Sequence, residues 1–238
     1  MKEYSISFVL PMYNEVAGIA DTIEEVRIIA KALTDNYEII ISDDASTDGS
    51  YSKAMEYAKK DANIKVIKVP KNTKFGGALA NGLINAQKEI IIYTDSDLPI
   101  SLLDIKRSLP MIEGADIVSA ASIVHKGETM KRKIISFGYN ALLRMFFGMK
   151  LKDVNSGYKI FRKTAIEGMS FLSKSPFIDA EIFVKVLRNG GKIVQYPIVF
   201  RNRRAGESSI ARMPIIIQTY LDMMKFRVWL TGKPVKKS

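Results

Sequence analysis

Short apolar runs that alternate with stretches of helical period constrain this chain more than any other feature. Ser5–Leu10, Tyr37–Ser42, Ile64–Val69 and Glu89–Tyr93 are brief runs rich in Ile and Val, and Asp116–Ser122 reads as a fifth. Between them, Glu15–Leu33 places Ile19, Ile23, Val26, Ile29, Ala30 and Leu33 at helical spacing. Asp48–Asn63 and Phe75–Gln87, the latter opened by Gly76-Gly77, follow the same rule, and Ser101–Glu113 is a further helix. Strands that alternate with helices of this length imply an α/β chain, with a mostly parallel sheet and helices on both faces. Ligands in such sheets sit beyond the carboxyl ends of the strands. Three polar clusters fall there: Asn14-Glu15, Asp43-Asp44 and the pair Asp95/Asp97.

After residue 122 the rhythm loosens. Lys131–Met149 is a strongly apolar, aromatic helix, Gly157–Phe161 a strand, Ile178–Asn189 a helix, Lys192–Phe200 a last strand and Ile210–Leu230 a terminal helix. The 238 residues make one large domain the default, with enough chain to bury a core unaided. With no cysteine and only His125, disulfide scaffolds, thiolate chemistry and multi-histidine zinc sites are excluded, and a serine–histidine mechanism is disfavoured. The short apolar run at the start does not match a secretory leader, and no stretch is long and apolar enough to demand a bilayer.

Net charge is +11, but it is unevenly spread. Residues 1–120 carry a net −5 and residues 121–238 a net +16. An acidic half suits metal-binding carboxylates, and a basic half suits an anionic partner: nucleic acid, a membrane surface or a phosphorylated substrate.

The acidic turns carry specific chemistry. Asp95-Ser96-Asp97 sends two carboxylates from a strand end, the oxygen donors that Mg²⁺ or Mn²⁺ takes alongside substrate phosphates. A helix N-cap is the structural alternative for one of these aspartates. Asp44 is suited to accept a nucleobase N–H, or else is simply a turn residue, whereas Asp48 reads as a cap. Pro11-Met12-Tyr13-Asn14-Glu15 offers a tyrosine face and a carboxylate beside it.

Taken together, Pro-x-Tyr-Asn-Glu, Asp-Asp-x-Ser-x-Asp-Gly and Asp-x-Asp-Leu resemble the family 2 inverting glycosyltransferases of the GT-A (Rossmann-like) fold. Asp153–Arg162, Phe177–Glu181 and Arg203–Ser209 are similar to the branch that acts on polyprenyl phosphates, the dolichol-phosphate mannose synthases and dolichyl- or undecaprenyl-phosphate glucosyltransferases. The likeness runs collinearly over residues 4–210. It implies a catalytic domain over 1–209, divided at 120 into a nucleotide-sugar half and an acceptor half, with an amphipathic helix and basic tail over 210–238. By position, Pro11, Tyr13, Glu15 and Asp44 would hold the nucleoside, Asp95 and Ser96 the nucleotide sugar, and Asp97 with Asp95 the Mg²⁺ or Mn²⁺; Arg203 would meet the diphosphate. Arg132, Lys159 and Arg162 are candidate ligands for an acceptor phosphate. Asp179 and Glu181 occupy the place where relatives with hydroxyl acceptors keep a base; here they read as orienting or weak-base residues, with helix-start carboxylates that suit the macrodipole as the alternative. The chain departs from the mannose-synthase pattern at Pro99, where a glutamine ligand is usual, at Ala121-Ser122, where an arginine is usual, and at Ser209 in place of a lysine. Lys126 or Arg132 is placed to supply the missing charge.

The resemblance thus implies hexose transfer from a GDP-mannose or UDP-glucose type donor to a polyprenyl phosphate, by an enzyme peripheral on the cytoplasmic face of a membrane. Basic flanks around the aromatic stretches Ile134–Leu151 and Ile210–Leu230 suit helices lying among headgroups. Core packing is the alternative for both. Two other readings differ in kind: a soluble family 2 enzyme with a hydroxyl acceptor and an essential base at Asp179 or Glu181, and a basic nucleic-acid binder without catalysis. The acidic turns disfavour the last, because carboxylates at the ligand edge repel phosphates, so no nucleic-acid partner is expected.

Overall fold

The computed structural model describes residues 3–123, 130–200 and 213–232. Seven strands among these residues form one sheet: β1 (Ile6–Met12), β2 (Tyr37–Asp43), β3 (Ile64–Lys68), β4 (Ile90–Thr94), β5 (Ile117–Ser122), β6 (Tyr158–Arg162) and β7 (Ile193–Ile198). Their order is β3-β2-β1-β4-β6-β5-β7. Every neighbouring pair is parallel except those involving β6, which runs antiparallel to both β4 and β5. The helices are α1 (Ile19–Leu33), α2 (Ser50–Ala58), α3 (Lys74–Asn85), α4 (Leu102–Ser108), α5 (Met130–Phe147), α6 (Lys163–Ile166), α7 (Ile178–Arg188) and α8 (Met213–Thr231).

β1, β2 and β4 are buried along their whole lengths, as apolar strands covered on both faces must be. Successive residues split between two cores. Phe8, Leu10, Ile39, Ile41, Ile90 and Ile92 join Ile19, Ile23 and Val26 of α1 on one face. Val9, Ile40, Ile91 and Tyr93 join Leu79 and Leu83 of α3, and Ile182 and Phe183 of α7, on the other. Pro11 lies in β1 beyond Val9, the strand's last pair with β4, so its missing N–H falls where that ladder has already ended. The expected helix over 101–113 divides: α4 gives way to a 3-10 turn over Leu109–Gly114, where Pro110 has no amide to donate.

α8 is no loose appendage. Asp222 accepts from the amides of Lys174 and Ser175 at 2.9 Å each, and Phe226 packs between Phe147, Phe177 and Trp229. The expected amphipathicity is absent: Met223, Phe226 and Leu230 are buried while Ile217, Tyr220, Leu221 and Val228 are exposed, so apolar residues circle the helix.

Candidate functional site

The three polar clusters meet at the carboxyl edge of the sheet. Among the described residues, Asn14, Ala45, Lys74, Leu98 and Asp153 have positive φ without being glycine. Asn14, Ala45 and Leu98 follow β1, β2 and β4. Lys74 opens α3 beside Asp44, and Asp153 precedes β6, which enters the sheet at that same edge. Sparsely populated backbone conformations gathered at one place mark a site that the surrounding structure forces into shape.

The turns after β1 and β2 are stitched together. Asn14 donates its amide to Ser46 Oγ at 2.9 Å and accepts from the Thr47 amide at 2.9 Å. Glu15 donates its amide to Ser50 Oγ, while Asp48 accepts from the amides of Val16 and Ser50. Asp48 therefore ties the start of α2 to the β1 turn. Asp44 is only 2% exposed and accepts from the amide and hydroxyl of Thr73 at 2.6 and 2.7 Å. Burial raises its carboxyl above the ordinary range, although the Thr73 bonds oppose the rise. Tyr13 stands 48% exposed nearby in sequence, so its ring is open to a ligand.

Asp95-Ser96-Asp97 forms a tight turn closed by the Leu98 amide donating to Asp95 O, and Thr22 of α1 donates its hydroxyl to Ser96 O. The cap of α4 is Ser101, in a capping box with Asp104, which frees Asp97 from the capping role allowed for it above. Asp95 is held from two sides. Tyr93, two residues earlier and so on the same face of β4, donates its hydroxyl to Asp95 Oδ1 at 2.6 Å. Gly157 accepts the Asp95 amide at 3.1 Å, and its bare Cα abuts the carboxylate: a Cβ there would lie 2.8 Å from Asp95 Cγ and nearer still to Oδ2. Burial, then the Asp95 carboxylate, push the Tyr93 phenol well above its ordinary value, so it stays a donor. Two half-buried carboxylates on one turn supply the oxygen donors that suit a hard divalent cation.

Three expectations need correction, those for Lys159, Arg162 and Glu181. Lys159 is fully buried, 3.1 Å from Asp179 Oδ2, and cannot reach an incoming phosphate. Arg162 pairs with Ile90 at the far end of β4 and donates to the carbonyls of Ala115 and Ile112, on the edge opposite the site. Glu181 accepts from the amides of Leu172 and Ser173, the Ser173 hydroxyl and Lys185; it braces that loop and has no capacity left for a base. Asp179 is 1% exposed, and its carboxyl is pushed up to about 6 by burial, with Lys159 opposing and Asp95 and Asp153 adding to the rise. The side chain of Arg132, together with Lys126, His125, Arg203 and Ser209, lies outside the described residues.

Sequence reasoning missed Thr73, Tyr93 and the structural part played by Gly157. Only Tyr93 left a signal, the two-residue offset from Asp95 along a strand.

The chain has clear likenesses among known proteins. The family model described as glycosyl transferase family 2 matches residues 7–169. The undecaprenyl-phosphate mannosyltransferase of Micrococcus luteus is 25% identical over 213 residues, covering 85% of this chain and 86% of that protein. The dolichol-phosphate mannosyltransferase of Pyrococcus furiosus is 29% identical over 214 residues, covering 86% of this chain and 59% of that protein. In fold, the glucosyl-3-phosphoglycerate synthase of Mycobacterium tuberculosis, crystallised with Mn²⁺ and UDP-glucose, superposes with a TM-score of 0.72 at 20% identity, covering 98% of this chain and 81% of that one.

Proposed function

The chain belongs to glycosyl transferase family 2, and from that premise we propose that it moves a hexose from a nucleotide-diphosphate sugar to a polyprenyl phosphate at a membrane surface. The observation that carries the acceptor class is the state of the two carboxylates placed to act as bases. Asp179 is sealed against Lys159 and Glu181 is fully committed to its own loop. A hydroxyl acceptor needs a base to take its proton. A phosphate monoester, with its second pKa near 6, arrives largely ionised and needs only orientation.

In this reading Asp44, with Tyr13, Pro11 and Glu15, holds the nucleoside, and Ser96 and Asp95 contact the donor sugar. Asp97 and Asp95 hold the Mg²⁺ or Mn²⁺, and Arg203 meets the diphosphate. The bound cation supplies charge neutralisation at the diphosphate as it leaves. An acceptor phosphate oxygen bonds to C1 of the sugar as the bond from C1 to the diphosphate oxygen breaks on the opposite face, inverting the anomeric centre. No proton changes hands at C1, in keeping with the burial of Asp179 and the full set of donors on Glu181.

Among the described residues no helix is long and apolar enough to cross a membrane. The exposed Ile134, Phe137 and Met145 of α5, and Met213, Ile217, Tyr220, Leu221 and Val228 of α8, support peripheral contact with a membrane surface, which this reading assigns to the cytoplasmic face. Arg144, Lys150, Lys225 and Arg227, all exposed, are placed to meet anionic headgroups.

The test is transfer of labelled sugar from a panel of GDP- and UDP-sugars, with Mg²⁺ or Mn²⁺, into butanol-extractable polyprenyl phosphate. Label in the lipid phase that disappears with Asp97→Ala is the expected result. Label confined to water-soluble products would overturn the acceptor class.

A further inference from the structure

We propose that Lys159 is a positioning residue for Asp95, acting on both groups that hold that carboxylate; this rests on the reading of Asp95 as a donor and metal ligand. Lys159 and Tyr93 are direct partners in the β4–β6 register. The ammonium lies 5.3 Å from the centroid of the Tyr93 ring and 5.8 Å from that of Phe183, and donates to Ser156 O at 2.5 Å and to Asp179 Oδ2 at 3.1 Å. From Ser156 the chain passes directly to Gly157, which accepts the Asp95 amide and abuts its Oδ2. From the Tyr93 ring, the same side chain's hydroxyl donates to Oδ1 of Asp95. One oxygen of Asp95 is thus set by a side chain that Lys159 lies against, and the other by the residue next to its carbonyl partner Ser156.

A cation with no exposure is costly to retain, and an apolar residue of its size commonly packs as well or better. The residues it touches explain the retention. It clamps the turn over 153–157 against β4, and Asp179 is the counter-charge that lets it stay there. Asp179 Oδ1 is itself buried without a hydrogen-bond partner among the described residues, so the pair is oriented toward Lys159 and Ser156 rather than shared with another donor.

Lys159→Met alone strands a buried carboxylate and risks unfolding, so the decisive variant is Lys159→Met/Asp179→Asn, which removes both charges. Phe226→Leu, in the same core but with its ring contacts on Phe147, Phe177 and Trp229 rather than on Asp95 or the 153–157 turn, serves as a control for destabilisation alone. Two readouts are needed: amide hydrogen exchange, and the Mn²⁺ concentration giving half-maximal binding of UDP or GDP. We expect the double variant to accelerate exchange in residues 95–98 by about tenfold or more while the amides of β1 and β2 hold their protection. The half-maximal Mn²⁺ concentration should rise about tenfold, in line with loss of a ligand's alignment. Unchanged exchange in 95–98, or uniform acceleration that Phe226→Leu reproduces, overturns the proposal. Failure of the unaltered protein to bind either nucleotide with Mn²⁺ counts instead against the transferase reading, and the exchange result still decides what positions Asp95.

Discussion

Gly157→Ala tests the site by adding one methyl group and no charge. Gly157 does not lie in the left-handed region, so alanine adopts its backbone without strain. The added Cβ would come 2.8 Å from Asp95 Cγ, whereas carbon atoms settle near ~3.5–4.0 Å. The carboxylate must then retreat by about 1 Å, and the 2.6 Å bond from Tyr93 that fixes Oδ1 resists the movement. A displacement of about 1 Å at a reacting centre costs roughly 10²-fold in rate, equivalent to about 2.7 kcal/mol of transition-state stabilisation. The stability cost is smaller, about 1–3 kcal/mol for overpacking, or some 2–10 °C in Tm at this chain length. Sugar transfer at saturating and limiting donor, with thermal melting alongside, separates the two effects. Transfer within about threefold of the unaltered protein would refute the claim that Gly157 sets Asp95. A loss of transfer accompanied by gross unfolding would show Gly157 to be structural.

Asp97→Ala should abolish transfer while the melting temperature stays within a few degrees, because the turn is closed by backbone bonds and α4 is capped by Ser101. Ile217→Ser with Val228→Ser alters side chains 54% and 69% exposed, so stability should change by no more than about 1 kcal/mol, while sedimentation with anionic vesicles weakens several-fold. Truncation before α8 is a poor substitute, since Phe226 and Asp222 belong to the core. Asp179 titrates near 6 when folded and near ~3.9 when unfolded. The native state therefore holds the extra proton between those values. The contribution of Asp179 falls by about 2–3 kcal/mol as pH rises from about 4 to 6 and is level above. Urea unfolding of the parent and of Lys159→Met/Asp179→Asn should diverge across that window; a difference independent of pH would contradict the assignment.

The centre of the parallel part of the fold was legible because β1, β2 and β4 are nearly continuous apolar runs, as strands covered on both faces must be. β6 was less legible in orientation than in existence: Tyr158–Arg162 reads as a strand in either direction, and its antiparallel pairing with β4 and β5 depends on where the 149–157 connection leads. That reversal decided the fate of two expected ligands. Alternation along a short strand puts Lys159 inside, against Asp179, and carries Arg162 to the opposite edge, a distinction a positive residue does not announce by its type. Glu181 failed as a base for a related reason: the sequence places a carboxylate one turn into α7, but only the folded loop over 170–173 turns two amides and a hydroxyl toward it.

The left-handed residues point to the same edge without any family likeness. Ala45, Lys74 and Leu98 have side chains that gain nothing from positive φ, unlike Asn14 and Asp153, and such positions cost about 1–3 kcal/mol each. Selection for stability alone would place glycine there. Each one instead adjoins a group of the site: Ala45 follows Asp44, Lys74 follows the Thr73 that binds Asp44, and Leu98 follows Asp97. Strain borne at three ordinary residues, gathered around two carboxylates that follow two separate strands, is explained if the turns must hold those carboxylates before a ligand arrives. The same strain was invisible in the sequence, because alanine, lysine and leucine write no backbone conformation into a chain.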